Sequence, residues 1–196
     1  MPGMATFAPP RPSAPLRRTI CTYTPEEFLA MEDGVAYEMF EDGTLQERDM
    51  SVKSESVAYA VGSELRQFVT PRQLGVVLGQ SGLQIFKDRP RRIPRPDTGF
   101  ISKGRLPGGA GDGHLQTVPE LLVEVVSKRD EFEAVEAKIE EYLAAGVSVV
   151  WLVKPRSKTV DVWRADGSVT HLKGDDEITG DDFLPGFAVK VSAFFV

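Results

Sequence analysis

A single cysteine, Cys21, stands in a chain of 196 residues, with only two histidines, His114 and His171, beside it. One thiol excludes an internal disulfide and leaves no cysteine partner for a zinc knuckle, so Cys21 reads as a small buried or inert residue. Both histidines fall near Gly-rich or hairpin positions and read as surface groups. No apolar run approaches the roughly 20 residues needed to cross a bilayer, so no membrane contact is expected. The N-terminus carries no continuous apolar core of about 7 to 15 residues, so it does not read as a secretory signal and the expected location is the cytoplasm. No Gly-x-x-x-x-Gly-Lys-Ser/Thr sequence occurs, which disfavours a phosphate-cradling NTPase. Positive charge is also in deficit, with 23 Lys and Arg against 29 Asp and Glu and a net charge of −6. That balance excludes a nonspecific basic coat for nucleic acid and leaves only local patches as docking surfaces.

What the chain does contain is a strand, a helix and a second strand in close succession over residues 119–153. Residues 121–126 are apolar and rich in β-branched side chains, as in a strand buried on both faces of a sheet. Glu124 interrupts that run, and an ionised carboxylate there is costly unless a partner or a metal compensates. In the helical segment Phe132, Val135, Ile139, Tyr142 and Leu143 share a stripe, and Gly146 suits the C′ position that ends a helix. Lys138 lies roughly 90° from the centre of the stripe at about 100° per residue, so its stem can lie along the sheet and its ammonium can reach Glu124. The spacing predicts a βαβ unit with a right-handed crossover. The plainer readings are that Glu124 is a structural salt-bridge partner and that Lys138 pairs on the helix surface with Glu141.

The remaining segments predict one domain over residues 20–196, preceded by a flexible Pro-rich tail at 1–19. Thr24-Pro25-Glu26-Glu27 reads as a capping box opening a helix that Gly34 ends. Asp42-Gly43 predicts a hairpin between 35–40 and 44–47, with Glu38 and Glu47 on its arms. Residues 52–69 predict a long helix ended by Pro71, with Val57, Tyr59, Ala60, Val61, Leu65 and Phe68 as its apolar positions. Strands are expected at 76–78 and 83–86. Residues 87–105 form the one dense basic run, and Arg91, Arg92 and Arg95 read either as phosphate contacts or as solubilising loop charge. Asp97 opens a further short strand or is simply a turn residue there. The Gly- and Pro-rich stretch 104–113 is a candidate flap over a cleft. Asp166-Gly167 marks a second hairpin, a last strand falls near 187–191, and the apolar end Phe194-Phe195-Val196 closes a sheet edge or faces a partner subunit.

Asp97, Glu124, Lys138 and Glu38 together make a metal-nuclease pattern. Two carboxylates on neighbouring strands offer hard oxygen ligands for Mg2+ or Mn2+, and a nearby lysine can orient or deprotonate water and stabilise a pentacovalent phosphate. Glu38 also reads as a plain hairpin carboxylate. The ordered set Thr24-Pro25-Glu26-Glu27-Phe28, Tyr37-Glu38, Pro96-Asp97, Pro119-Glu120-Leu121-Leu122-Val123-Glu124-Val125-Val126-Ser127, Ala145-Gly146-Val147 and Leu184-Pro185-Gly186-Phe187, with the stretch 138–142, resembles the Uma2-like family of endonucleases in the PD-(D/E)XK superfamily.

The resemblance implies an α/β fold with a restriction-endonuclease-like mixed sheet flanked by helices, an N-terminal hairpin and C-terminal antiparallel strands. It implies Asp97 and Glu124 as metal-binding residues, Glu38 as a further acid near the metal and Lys138 as a catalytic lysine displaced onto the helix. Val126 stands where the superfamily motif has its lysine, and 53–56 contains no histidine although many members carry one near the start of the long helix. The implied activity is metal-dependent endonucleolytic hydrolysis of DNA, and the apolar Phe194-Phe195-Val196 with the need to cut two strands of a duplex adds the expectation of a homodimer. The alternative is a catalytically inactive dimeric nucleic-acid-binding or scaffold protein with the same fold.

Overall fold

A computed structural model describes residues 21–48, 50–128 and 130–195. The expected tail at 1–19 and the terminal Val196 lie outside the described residues. In chain order the elements are α1 (Pro25–Leu29), a 3-10 turn (Gly34–Ala36), β1 (Tyr37–Met39), β2 (Leu45–Glu47), α2 (Val52–Arg72), β3 (Gly75–Leu78), β4 (Thr98–Ser102) and β5 (Leu121–Val125). There follow α3 (Phe132–Ala144), β6 (Val149–Lys154), β7 (Thr159–Arg164), β8 (Val169–Lys173), β9 (Glu177–Gly180), β10 (Leu184–Lys190) and a closing 3-10 turn (Val191–Phe194). Among the described residues no helix is long and apolar enough to cross a membrane.

The continuous apolar character of β5 has the expected cause: each of its five residues is buried. It pairs in parallel with β6 across α3, whereas β3–β4, β4–β5, β6–β7 and β7–β8 are antiparallel. The result is a mixed six-stranded sheet in the order β3-β4-β5-β6-β7-β8, with β1–β2 and β9–β10 as separate antiparallel pairs. Alternation along β5 divides the core. Leu121, Val123 and Val125 face α2 together with Trp151, Phe187 and Phe194. Leu122 faces the opposite layer with Val150, Leu152, Ile139 and Tyr142. Glu124 lies two residues beyond Leu122 and therefore points into the α3 layer.

Local chemistry sets the helix ends. The Thr24 hydroxyl accepts from the Glu27 N–H at 3.2 Å while Glu27 accepts from the Thr24 N–H at 2.8 Å, the reciprocal box that the sequence predicts. At the end of α3, Gly146 adopts φ +100°. Its N–H donates to Leu143 O at 3.0 Å and that of Val147 to Tyr142 O at 3.1 Å, a Schellman closure.

Several expectations are corrected. Pro71 does not end α2, which continues to Arg72; it stands in the last turn, and there Arg72 Nη1 donates to Phe68 O at 3.1 Å. Gln73, at φ 52°, closes the helix instead. Tyr59 and Phe132 are exposed rather than apolar contacts of their helices. Helix α1 ends at Leu29, and Gly34 opens the 3-10 turn instead of stopping the helix. Residues 83–86 form no strand: Leu83 bridges only Leu115, and its N–H goes to Pro94 O at 2.9 Å, so the segment is tied to two loops rather than to a ladder. His114 is half-buried, with Nε2 3.2 Å from Pro25 O and its ring 5.5 Å from that of Phe28. Cys21 is exposed. Phe194 is buried in its own chain, 6.4 Å from the Trp151 ring, so this residue of the apolar end closes its own core.

Candidate active site

Asp97 and Glu124 are brought together by strand register. β4 and β5 pair Thr98 with Val123, so one step outward sets Asp97 opposite Glu124, where antiparallel neighbours share a face. Backbone bonds hold the place: the Asp97 N–H donates to Val123 O at 3.1 Å, and the Val125 N–H donates to Asp97 Oδ2 at 2.7 Å. Asp97 Oδ1 faces Arg48 Nη2 at 2.9 Å.

Glu38 arrives on β1, which docks through the Met39–Ile93 bridge onto a small core of Phe28, Met39, Leu45 and Ile93. Lys138 reaches from α3 to Glu38 Oε1 at 2.5 Å and Glu124 Oε1 at 3.0 Å. The Tyr142 hydroxyl donates to the same Glu124 oxygen at 2.8 Å. The four candidate residues thus line one cleft of about 940 Å³, bounded by the hairpin, the ends of β4 and β5, and α3. No residue of 104–113 lines it, so that loop is not a flap over this cleft.

Burial and like charge govern the electrostatics. Burial is the largest influence on Glu124 and, with Asp97 and Glu38 nearby, outweighs the Lys138 ammonium and the Tyr142 hydroxyl to push its carboxyl up to about 7. Burial also raises Asp97, against the opposing pull of Arg48 and the Val125 N–H. Glu38 behaves in the opposite way: burial raises it, but Lys138, Arg92 and Arg48 together hold it below the usual carboxylate value. Burial works against the charge of Lys138, yet Glu124 and Glu38 outweigh it and keep the ammonium protonated beyond its ordinary range. Lys138 is therefore a fixed cation.

The basic run does not form one surface. Arg91 is exposed. Arg92 is 7% exposed; its Nε lies 3.0 Å from Glu141 Oε2 and its Nη1 3.7 Å from Glu38 Oε2, because the turn carrying it packs against α3. Arg95 donates to Tyr37 O at 3.1 Å and Gln80 O at 2.9 Å. Arg92 is thus tied into the cleft wall and Arg95 into the backbone of Tyr37 and Gln80, while Arg91 alone of the three is exposed.

The residues matched by the Uma2 family, described as "Putative restriction endonuclease", run from 25 to 192. The chain belongs to the Uma2 family. No curated protein matches it at a significant level. Among solved structures it is similar to one from Anabaena variabilis ATCC 29413 described as "a putative nuclease belonging to DUF820", with 20% identity, a TM-score of 0.73, and coverage of 88% of this chain and 97% of that one. That likeness shows the fold.

Two residues of this Uma2 site escaped sequence reasoning. Arg48 carries a signal in retrospect, since period-two alternation continues the face of Gln46, and Gln46 pairs with Glu38. Tyr142 belongs to the apolar stripe by its spacing, yet a buried tyrosine needs a partner for its hydroxyl, and Glu124 is that partner.

The donor chemistry fits a hard divalent cation. Asp97 and Glu124 offer carboxylate oxygens on adjacent strands, and both carboxyls have raised proton affinity that a nearby positive charge would relieve. Among the described residues no group of three or more His, Cys, Asp or Glu is gathered closely enough to cage an ion. An ion here would complete its shell with water and substrate oxygens, the habit of Mg2+ rather than of a closed structural site.

Proposed function

We propose that this protein is a metal-dependent endonuclease that hydrolyses phosphodiester bonds of DNA. The observation that carries the reading is the pairing of Asp97 and Glu124 across facing strands, with Lys138 joining Glu124 to Glu38. A bound Mg2+ or Mn2+ would supply an acidified water and neutralise phosphate charge, and Asp97 and Glu124 are the residues that would hold it. Lys138 and Tyr142 both engage Oε1 of Glu124, which fixes that carboxyl and directs its other oxygen, Oε2, to a ligand. Lys138 stays charged and so stabilises the negative charge that builds on the phosphate. A lysine held as ammonium does not deprotonate water, so the proton goes to a carboxylate of the cleft. Two such clefts serve the two strands of a duplex, and a homodimer supplies them.

A second reading, a noncatalytic nucleic-acid-binding protein, draws on one observation. Glu38, Asp97 and Glu124 face Lys138, Arg48 and Arg92, a balanced set that stands without a metal. Incubation of supercoiled, linear and single-stranded DNA with wild type and Asp97→Asn, in Mg2+ or Mn2+, decides between them. Cleavage by wild type alone supports the nuclease; absence of cleavage by wild type in every substrate and ion supports the binding protein.

A further inference from the structure

Arg48 belongs to the hairpin, whereas Asp97 belongs to the main sheet, so their 2.9 Å contact crosses between two separate β structures. Arg48 sits just past the end of β2, where its own N–H donates to Ala36 O at 2.8 Å, and its side chain is 10% exposed. Its other near acid is Glu38, with Nε 4.0 Å from Oε1. The positive charge of Arg48 also acts on Arg95, whose charged form it disfavours. The guanidinium is therefore held chiefly by Asp97, with Glu38 as the more distant acid. The cleft that Arg48 lines has eight acidic and five basic residues in its walls, so it does not attract a polyanion by net charge.

We propose that Arg48 is a positioning residue that exchanges partners: it holds Asp97 in the metal-free site and moves to a nucleic-acid phosphate when a divalent cation takes Asp97. The inference rests on the nuclease reading above. A cation bound to Asp97 sets two positive charges beside a guanidinium in a water-poor cleft, where such repulsion is strong. Arg48 must then find another anion. A phosphodiester lying in the same cleft suits it, because the planar fork of arginine matches phosphate oxygens in pairs. Metal binding and substrate binding are thereby coupled through one side chain, and the acidic cleft accepts DNA once the ion is in place.

Calorimetry with Mn2+ alone tests the first half. Arg48→Gln leaves Asp97 without its competitor, so Mn2+ should bind it roughly tenfold tighter than wild type, from the loss of a charged hydrogen bond that the ion otherwise displaces. The second half is read from wild type, with Ca2+ and a short duplex. One added phosphate contact should steepen the slope of log affinity against log salt by about 0.9 relative to Ca2+-free buffer, and Arg48→Gln should lack that increase. A wild-type slope indifferent to Ca2+ overturns the exchange even if the variant fails to fold. If wild type binds Mn2+ and Arg48→Gln binds it no tighter, Arg48 is a fixed structural partner and the nuclease reading stands. If no variant binds Mn2+, both fall.

Discussion

The Lys138 ammonium lies 2.5 Å from Glu38 Oε1, joining residues one hundred positions apart in the chain. The pair fastens the N-terminal hairpin to α3, and the third member, Glu124, draws both onto β5. An otherwise polar hairpin is thereby locked over the cleft by charge as well as by the small apolar core around Met39 and Ile93.

Lys138→Ala removes the ammonium that Glu38 and Glu124 share, leaving Glu38 to Arg48 and Arg92 and Glu124 to the Tyr142 hydroxyl. Removing one partner of a buried ionic group is costly, so urea unfolding at pH 8 should show a loss on the order of 3 kcal/mol. A loss under about 1 kcal/mol would mean that water already compensates those acids. Because Lys138 acts as a fixed cation, Lys138→Arg should keep most of that stability and regain measurable cleavage. Complete inactivity of a folded Lys138→Arg would instead require an ammonium of that shape.

Glu124 makes stability depend on pH in a defined window. Its carboxyl is raised from 4.5 to about 7, so between these values the folded chain holds a proton that the unfolded chain has released. Stability therefore falls as pH rises from about 4.5 through 7, by up to roughly 3 kcal/mol for a shift of this size. Glu124→Gln should flatten that fall and melt above wild type at pH 8. Parallel melting curves of the two proteins from pH 5 to 8 would show that Glu124 is ionised throughout. Glu38, whose carboxyl is lowered, acts the other way: its contribution is complete above 4.5 and lost as pH falls through its depressed value.

Arg91 and Arg92 are neighbours in sequence with opposite consequences. Arg92→Ala leaves Glu141 to Arg89 alone and weakens the setting of Glu38, for an expected loss on the order of 2 kcal/mol. Arg91→Ala, at an exposed position, should change stability by less than about 0.5 kcal/mol. If Arg91 meets phosphate, its removal lowers the salt slope on a duplex by roughly 0.9. Equal stability of the two variants would contradict the buried placement of Arg92.

Truncation after Ser192 removes Phe194, which is 1% exposed and packs on Trp151. Loss of a buried phenylalanine costs about 3 to 5 kcal/mol, so thermal unfolding should drop sharply. Sedimentation should show no change of association state attributable to this end, since Phe194 is spent on its own core. A truncated chain of unchanged stability but altered mass would restore the end as an interface.

Much of this architecture follows from local and periodic signals. The apolar continuity of β5 and β6, the stripe of α3 (apart from the exposed Phe132), Gly146 and the Thr24 box each depend on residues close in the chain, and each is found where those residues set it. Asp97, Glu124, Lys138 and Glu38 were legible as exceptions, charges at positions where apolar residues are the rule or on elements bordering them. The partners were not. Arg48 meets Asp97, Arg92 turns inward to Glu141, and Phe194 reaches Trp151 only because the hairpin, the turn after Phe86 and the chain end dock where they do. Residues 83–86 have the composition of a strand, yet neighbouring loops take their hydrogen bonds. Periodicity reports which face of an element is apolar; an ion pair depends on the distance between elements, and that distance exists only after packing has fixed it.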